Sequence, residues 1–294
     1  MKLGYFADGK WSHNALEKLL DDDSFEVCFI CARFDNPDPV LKQMAQENSI
    51  DFIIHANINS DEFIENITNY NCDLLVSMSF NQIFKRRLIN LTEKKIINCH
   101  AGKLPYYRGR NVLNWALIND EPNFGITVHY VDEGIDTGDI ILQENHQLSD
   151  DDDYSTLLKK SHKGCADLLF KSIKQIQNGV VEVTSQNEID PIGFYCSKRQ
   201  KGDELINWNQ TSRAIFNFVR ALCKPGPQAT TFNNGKKVLI NKVKMIDSAP
   251  SYIGIPGSII KVDEHHFYVK TQDSFVNVIE WDSESSLRVG SRLS

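Results

Sequence analysis

The sequence predicts an α/β fold, in which helices cover both faces of a mostly parallel sheet and a small β-barrel follows. The first observation is an alternation of short apolar runs with helical segments between residues 1 and 130, which is the pattern of a parallel sheet. The second is a series of short apolar runs separated by turn residues between 229 and 279, which is typical of a small barrel. A chain of 294 residues has room for two such domains.

The strands and helices of the first part follow from this alternation. Strands are expected at residues 1–7, 25–33, 51–55, 74–80 and 124–130, and one more begins at Ile96 and carries Asn98 and His100. Helices are expected at residues 14–20, 40–47, 61–70 and 111–118, with a loop at 9–12. Apolar or small residues fill 74–80 throughout, which is typical of a central strand.

A long helix is expected after the acidic run Asp150–Asp153, ending at Asn178-Gly179. Its apolar residues recur at three-, four- and seven-residue steps, so one face should pack on the sheet. Acidic side chains at a helix start interact favourably with the positive end of the helix dipole. This explains the run without a metal ion, and no metal site is expected.

A polar, irregular stretch at residues 187–201 contains Pro191 and Gly193 and predicts a domain boundary. Beyond it a helix is expected at 211–222 and a turn at 224–227. The barrel strands are expected at 229–232, 237–245, 258–262, 266–271 and 274–279.

The bulk composition narrows the class of function. A net charge of −7 argues against a nucleic-acid partner, because phosphate binding needs a basic surface. No apolar run approaches the roughly 18 residues of a membrane span, and the N-terminus lacks a secretory signal, so a cytoplasmic protein without a membrane partner is expected. No G-x-G-x-x-G follows the first strand, which argues against a dinucleotide enzyme.

The seven cysteines are odd in number and scattered, which suits a reducing compartment. Cys28 and Cys31 form a C-x-x-C inside a predicted strand. Residues three apart on a strand point to opposite faces, so these two should not share a metal or a disulfide.

Chemistry-bearing residues concentrate in the stretch 96–110, which starts as a strand and ends as a loop broken by Pro105 and Gly109. Asn98 and His100 are two apart and point to the same side of the strand, while Cys99 points away. They emerge at the carboxyl end of a strand, where open α/β sheets bind their ligands.

Four motifs surround this stretch: Asn-x-His at 98–100, Leu-Pro-x-Tyr-Arg-Gly at 104–109, Gly-Ile-Thr-Val-His at 125–129, and Asp-x-Gly-Ile-Asp-Thr-Gly at 132–138. Together they resemble the motifs of the N10-formyltetrahydrofolate-dependent formyltransferases, which include methionyl-tRNA formyltransferase. The likeness is strongest to the nucleotide-sugar N-formyltransferase branch. It implies a Rossmann-like catalytic domain at 1–186, a linker at 187–205 and an OB-like barrel at 206–294. It also implies N10-formyltetrahydrofolate as co-substrate, without a metal.

The resemblance places catalysis at Asn98, His100 and Asp136. Formyl transfer to an amine passes through an oxyanion and moves a proton, so it needs an oxyanion donor and a proton shuttle near pH 7. Asn98 can donate its amide N–H to the oxyanion, and His100 titrates in the right range. Asp136 would orient the imidazole and stabilise its protonated form. The sequence leaves open whether His100 acts as base, acid or oxyanion donor.

The resemblance also places the folate. The residues that match its cofactor contacts are Gln82, Ile83, Phe84, Arg110, Asp132, Glu133, Gly134 and Ile135. The alternative for 82–84 is an ordinary strand-to-helix loop.

Contacts to a nucleotide-linked substrate are expected from two kinds of side chain. Lys10, Arg108 and Arg199 are candidates for a diphosphate, and Trp11 and Tyr195 for stacking on a base. The alternative is that these cations are solvated surface and these aromatics are core. His129 is expected to support the site from the neighbouring strand.

Three functions compete. The first is formylation of the amine of a nucleotide-linked deoxyamino sugar, such as dTDP-4-amino-4,6-dideoxyglucose, for O-antigen or other surface polysaccharide synthesis. The second is methionyl-tRNA formyltransferase, which should show a strongly basic second domain. Residues 210–294 contain 11 Lys and Arg and seven Asp and Glu, a net charge of +4, which is mild for tRNA binding. The third is a non-catalytic sensor, but such a binding protein would not need the combination of Asn98, His100 and Asp136. The sequence leaves open whether the protein forms a homodimer.

Overall fold

Strands and helices alternate through the first part of the computed structural model, which describes residues 1–294. The strands of this part are β1 (Lys2–Ala7), β2 (Glu26–Ala32), β3 (Asp51–Ile54), β4 (Leu74–Met78), β5 (Ile96–His100), β6 (Arg108–Gly109), β7 (Asn123–Tyr130), β8 (Ile140–Gln147) and β9 (Tyr195–Cys196). The helices are α1 (Gly9–Leu20), α2 (Pro39–Glu47), α3 (Asp61–Thr68), α4 (Arg86–Ile89), α5 (Val112–Ile118), α6 (Tyr154–Asn178) and α7 (Gln186–Ile189).

Seven of these strands form one sheet in the order β3-β2-β1-β4-β5-β7-β8. The pairs β2–β3, β1–β2, β1–β4 and β4–β5 are parallel, and β5–β7 is antiparallel. The predicted mostly parallel sheet is therefore confirmed. The β4 strand is buried along its whole length, as expected of a central strand.

Two local predictions were wrong. The stretch 9–12 is the first turn of α1 rather than a loop, because Gly9 adopts a positive φ of 65° and turns the chain directly out of β1. Ser12 is buried there and satisfies its hydroxyl by donating to the Gly9 carbonyl at 2.8 Å. The sequence analysis also missed β8, an edge strand whose apolar run, Ile140 to Leu142, is followed by five polar residues.

The carboxylates of the acidic run before α6 accept hydrogen bonds from nearby backbone N–H groups. The Asp153 carboxylate accepts from the Thr156 backbone N–H at 2.9 Å, and the Asp152 carboxylate accepts from that of Ser149 at 3.0 Å. These are capping interactions of a helix start. The expected apolar face of α6 is buried through Cys165, Leu169, Ile173 and Ile176, with Leu157 rather than its neighbour Leu158 at the first position.

The chain forms two compact units that interleave along the sequence. The first comprises residues 1–109, 124–146 and 159–196, and the second comprises residues 110–123, 147–158 and 197–294. The boundaries 1–186, 187–205 and 206–294 stay predictions.

The second unit contains α8 (Ser212–Leu222) and a five-stranded antiparallel sheet in the order β10-β11-β14-β13-β12. Its strands are β10 (Ala229–Asn233), β11 (Lys236–Lys244), β12 (Ile259–Val262), β13 (Phe267–Lys270) and β14 (Phe275–Ser283). The last residues of the chain join its two edges, since Leu293 bridges to Asn233 at the end of β10 and Arg292 bridges to Ser258 just before β12. This closes the sheet into the predicted small barrel.

All seven cysteines are free thiols. Cys31 is buried and Cys28 is half-buried. The expected placement on opposite faces does not hold, because a bulge at Cys28 shifts the register of β2 and both side chains pack against the same hydrophobic cluster. None of the helices is both apolar enough and long enough to cross a membrane.

Candidate active site

Four polar side chains lie on one face of the β5–β7 pair. Asn98 is opposite His129, and His100 is opposite Thr127, in the antiparallel register. Because residues two apart share a face, and directly opposite residues also share it, all four project to the same side of the sheet. The predicted convergence of Asn98 and His100 is present, and the neighbouring strand adds a second imidazole.

A backbone carbonyl holds the His100 ring in place. Its Nε2 lies 2.7 Å from the carbonyl oxygen of Tyr107 and donates to it, because a carbonyl only accepts. A Cβ on Gly102 would collide with this nitrogen and with the Tyr107 carbonyl. The Thr127 hydroxyl donates to the Gly102 carbonyl at 2.7 Å and fixes that turn. Position 102 therefore has to be glycine, because any larger residue would displace the His100 ring.

Asp136 lies between the two imidazoles. Its carboxylate oxygens are 3.7 Å from His100 Nδ1 and 3.6 Å from His129 Nε2, and the Gly109 backbone N–H donates to it at 2.9 Å. Burial alone would raise the pKa of Asp136, but His100, His129 and the Gly109 N–H more than offset this and hold the pKa well below its usual range. The group is thus an anion at every working pH.

A chain of hydrogen bonds orients the Asn98 amide. The His129 Nδ1–H donates to the Tyr130 carbonyl at 2.7 Å. Its Nε2 faces both the Asn98 Nδ2 at 3.3 Å and an Asp136 carboxylate oxygen at 3.6 Å. In the neutral ring this Nε2 accepts one Nδ2 hydrogen of Asn98 and leaves the second Nδ2 hydrogen available, and in the protonated ring it supports the Asp136 anion instead. His129 thus has the supporting position that the sequence analysis expected of it.

The 184–196 segment holds the loops that carry these groups. Arg108 and Gly109 pair with Tyr195 and Cys196 in the two-stranded β6–β9 sheet. Gln186, only 2% exposed, accepts from Arg108 through Nε at 3.0 Å and Nη2 at 2.7 Å.

This arrangement changes the interpretation of Arg108. It is 6% exposed, and its fork is engaged by Gln186, whereas the sequence analysis treated it as a diphosphate contact. Its guanidinium also lies 5.5 Å from the Tyr195 ring centroid. Arg108 is therefore placed as a structural clamp, and Tyr195 is half-exposed beside it.

The three residues 82–84 form a loop anchored from below. Gln82 accepts from the Ile58 backbone N–H at 3.1 Å and donates to the His55 carbonyl at 2.9 Å. Phe84 is buried, with its ring 5.2 Å from that of Phe6. Ile83 is 57% exposed. Gln82 and Phe84 therefore use their side chains for structure. The Ile83 carbonyl accepts from the Asn59 side chain at 2.8 Å, so the Ile83 side chain is the part of this loop that is exposed to a ligand.

A cleft of about 410 Å³ lies beside the loop that carries Asp136. It is lined by Asp132 and Glu133 of that loop, by Arg86 and Asn90 of the α4 region, and by Gln186. Two of the predicted cofactor residues are thus cleft residues. Gly134 and Ile135 belong to the same loop but do not line this cleft, and Ile135 is 52% exposed.

The remaining predicted ligand residues are scattered. Lys10 is an exposed residue of α1, and Trp11 packs edge-on against His162 at a centroid distance of 4.5 Å. Arg110 and Arg199 belong to the second unit. Arg199 donates its backbone N–H to the Asn111 side chain at 3.0 Å, and burial lowers the pKa of its guanidinium.

Sequence reasoning missed Gly102, Gly109 as a backbone donor, and Gln186. Gly102 lies between two of the motifs and Gly109 ends one of them, and both motifs were interpreted through their polar residues. Gln186 gave no usable signal, because a single glutamine in a polar stretch cannot be told from surface until the fold buries it. No group of three or more His, Cys, Asp or Glu is arranged to hold a metal ion.

Comparison with known proteins agrees with this geometry. The model of the family described as "Formyl transferase" matches residues 8–173, and that of "Formyl transferase, C-terminal domain" matches residues 198–290. The chain belongs to the formyl transferase family. It is therefore an enzyme that transfers formyl groups, as the four motifs indicated.

Individual relatives point to two branches of this family. Methionyl-tRNA formyltransferase of Clostridium acetobutylicum is 30% identical over 301 residues, covering 99% of this chain and 95% of the relative. The solved N-formyltransferase of Helicobacter canadensis, in complex with folinic acid and dTDP-3-aminofucose, is 24% identical with a TM-score of 0.72, covering 96% of this chain and 100% of that one. The sugar 3N-formyl transferase WlaRD, solved with dTDP and 5-N-formyl-THF, is 22% identical with a TM-score of 0.71, covering 98% and 99%. At these identities the two structures bear on the fold alone.

Proposed function

We propose that the protein is an N-formyltransferase that moves the formyl group of N10-formyltetrahydrofolate to the amino group of a nucleotide-linked deoxyamino sugar. A dTDP-4-amino-4,6-dideoxy sugar is a representative acceptor, and the product would enter O-antigen or another surface polysaccharide. The observation that carries the reaction is the convergence of Asn98, His100 and Asp136 on one face of β5 and β7. This proposal implies work in the cytoplasm, where the folate is available.

The three residues divide the chemistry of acyl transfer. The neutral acceptor amine attacks the formyl carbon, forming a carbon–nitrogen bond and placing negative charge on the formyl oxygen. The second Nδ2 hydrogen of Asn98 is donated to that oxyanion, and such a donor is worth about 10²–10³ in rate. The acceptor nitrogen loses a proton, N10 of the folate gains one as its bond to carbon breaks, and the products are an N-formyl amide and tetrahydrofolate.

His100 moves the proton, and Asp136 supports the ring as it carries the charge. Both neighbours of this ring, the Tyr107 carbonyl and the Asp136 carboxylate, are acceptors. The ring can donate to both only when both nitrogens carry hydrogen, so the surroundings are built to receive the proton released by the amine. Asp136 is already an anion when that proton arrives.

The charge of the second unit supports a small acceptor over a tRNA. Four of the 11 basic residues at 210–294 are used internally: Arg213 and Arg220 with Asp120, Lys261 with Asp263, and Lys270, which is buried and donates to the Thr271 carbonyl.

The exposed lysines that remain concentrate on β11, where Lys242 lies opposite Glu280 of β14. A surface for a tRNA acceptor stem needs a strongly basic character, because each phosphate contact is electrostatic. The net charge of residues 210–294 is only +4, which is mild for such a surface.

The folate assignment rests on the two loops beside the catalytic residues. The 82–84 loop presents the exposed Ile83. Asp132 and Glu133 line the 410 Å³ cleft beside the loop that carries Asp136, although neither residues 82–84 nor the three catalytic residues line it. Both structural relatives named above were solved with a formylated folate, which supports N10-formyltetrahydrofolate as the formyl donor here.

The second candidate is methionyl-tRNA formyltransferase. The observation that favours it is the 30% identity to the enzyme of Clostridium acetobutylicum over almost the whole of both chains. Its formyl donor and catalytic residues would be the same. Only the acceptor separates the two candidates.

The test is a competition between acceptors. The protein is incubated with N10-formyltetrahydrofolate and either a panel of dTDP-, UDP- and GDP-linked amino sugars or methionyl initiator tRNA. We expect a mass gain of one formyl group on an amino sugar, with kcat/KM far above that for the tRNA. Formylation of the tRNA alone would overturn the proposal in favour of the second candidate, and turnover of the folate with no acceptor would indicate a hydrolase.

A further inference from the structure

The Asp136 loop is held from two directions at once. Its carboxylate accepts from the Gly109 backbone N–H at 2.9 Å. Its backbone carbonyl accepts from the Gln186 side chain at 2.9 Å, and the same amide donates its other hydrogen to the Gly138 carbonyl at 2.7 Å.

Gln186 also closes this arrangement into a ring. Its Oε1 accepts two hydrogen bonds from Arg108, and Arg108 is bonded covalently to Gly109, whose N–H reaches Asp136. The path Asp136–Gly109–Arg108–Gln186–Asp136 is therefore closed. Both hydrogens of the Gln186 amide are donated to the loop, and its Oε1 accepts both bonds from Arg108, so its hydrogen-bonding capacity is fully used.

Position matters at Asp136 because its backbone is strained. Its φ is +55°, in the left-handed region that a residue with a Cβ adopts at some cost. Gly134 and Gly138 on either side meet Thr137 and the Tyr130 carbonyl so closely that neither tolerates a Cβ. Such a loop keeps one shape only when surrounding contacts determine it, and Gln186 supplies the contacts to the carbonyls of Asp136 and Gly138.

We propose that Gln186, through its ring with Arg108, is the positioning residue that sets the Asp136 carboxylate between the two imidazoles. The Gln186 amide is fully engaged by Arg108 and by the carbonyls of Asp136 and Gly138, so it offers no polar group to the reacting atoms. Its effect passes through the distances from Asp136 to His100 and His129, now 3.7 and 3.6 Å. The proposal rests on the proposed role of Asp136 in formyl transfer.

The test compares Gln186→Ala with Gln186→Glu. The alanine removes all four hydrogen bonds, while the glutamate keeps the volume and the Arg108 contact but loses both donors to the loop. We expect each to lower kcat by about 10–100-fold with KM for both substrates within about 3-fold, because a displacement near 1 Å costs on that order. In an Asp136→Asn background, Gln186→Ala should lower kcat no further.

The control is Tyr106→Phe, which removes a hydrogen bond of 2.9 Å to Asp190 in the same 184–196 segment without touching the ring. Its kcat should stay within about 2-fold of wild type. If Gln186→Ala and Gln186→Glu lower only the folded fraction, or lower kcat equally in the wild-type and Asp136→Asn backgrounds, Gln186 does not act through Asp136.

A readout without any acceptor separates this inference from the proposed function. Asp136 owes its low pKa to its neighbours, so displacing it should shrink the acid-dependent part of the unfolding free energy, as Asp136→Asn is also expected to do. Finding this change while no formyl acceptor is turned over would uphold the positioning role and refute the function. An unchanged acid dependence in both Gln186 variants would refute the positioning role.

Discussion

Two carboxylates in this protein each face a pair of basic side chains, and the pairs differ in kind. In the first unit, Asp136 lies between His100 and His129. In the second unit, Asp120 receives the Arg213 fork, with Nε at 2.9 Å, and Arg220 at 3.6 Å. Arginine keeps its charge at every accessible pH, whereas imidazole gains and loses a proton near neutrality. The arginine cluster is therefore fixed structure, and the imidazole cluster can move a proton.

The pKa values of the two carboxylates fall for different reasons. The hydrogen bond from Arg213 lowers the pKa of Asp120, which stays 42% exposed at its side chain. Burial works to raise the pKa of Asp136, and two imidazoles and a backbone N–H reverse this. A carboxylate that must overcome burial depends on the exact placement of its neighbours. The comparison teaches that a low pKa alone does not mark a catalytic group, because the hydrogen bond from Arg213 is enough to lower the pKa of the structural Asp120.

The largest effect should come from deleting the imidazole cluster. His100→Ala or Asp136→Ala is expected to lower kcat by about 10²–10⁴, the range for lost acid–base catalysis, with little change in KM. Asp120→Ala is the matched control, since it removes a carboxylate from the arginine cluster, and its kcat should stay within about 2-fold. Near wild-type kcat in either first variant would remove that residue from the mechanism.

The next effect separates the role of the neutral Asn98 amide from that of the charged Asp136 carboxylate. Asn98→Ala should lower kcat/KM by about 10²–10³ at all pH values, because the amide carries no charge and only stabilises the oxyanion. Asp136→Asn should move the limb of the pH–rate profile that reports His100 toward acid, since a carboxylate favours the protonated ring. Profiles of kcat/KM against pH measure both. A moved limb in Asn98→Ala with a fixed limb in Asp136→Asn would reverse the roles.

Local pattern was enough to find one half of this imidazole cluster. The two-residue alternation of a strand put Asn98 and His100 on one face, and the same rule with an antiparallel neighbour adds His129. The sequence could not place Gln186, because its role depends on a fold that brings it into contact with Arg108, 78 positions earlier in the chain. Arg108 itself was misjudged for the same reason, since a buried arginine and an exposed one look alike in sequence. The polar edge strand β8 was missed because edge strands lack the apolar pattern that marks central ones.

A third effect concerns acid stability. A group whose pKa is depressed on folding stabilises the protein above its unfolded pKa, about 3.9 for Asp, and this contribution is lost as the pH falls toward the folded value. The unfolding free energy of wild type should therefore fall between about pH 5 and pH 2 by roughly 1.4 kcal/mol per unit of that depression. Asp136→Asn should show a flatter curve.

The measurement is the difference between the two denaturation curves at each pH. Other carboxylates with low pKa values, such as Asp38 and Asp273, are common to both proteins and cancel. A difference that stays constant from pH 6 to pH 2 would mean that Asp136 is not held as a buried anion.

The smallest effect is expected in the arginine cluster. Arg213 and Asp120 are each more than a third exposed at the side chain, and exposed ion pairs contribute about 0.2–1 kcal/mol. A double-mutant cycle of Arg213→Ala and Asp120→Ala should therefore give a coupling free energy below about 1 kcal/mol, and raising the salt concentration should shrink it further because the pair is screened. The buried Arg220 keeps its bond to the Ser149 carbonyl at 2.7 Å in all of these variants, so the turn before α6 should stay intact. A coupling of several kcal/mol, insensitive to salt, would mean that this cluster is shielded from water like the one around Asp136, and the contrast between the two would fail.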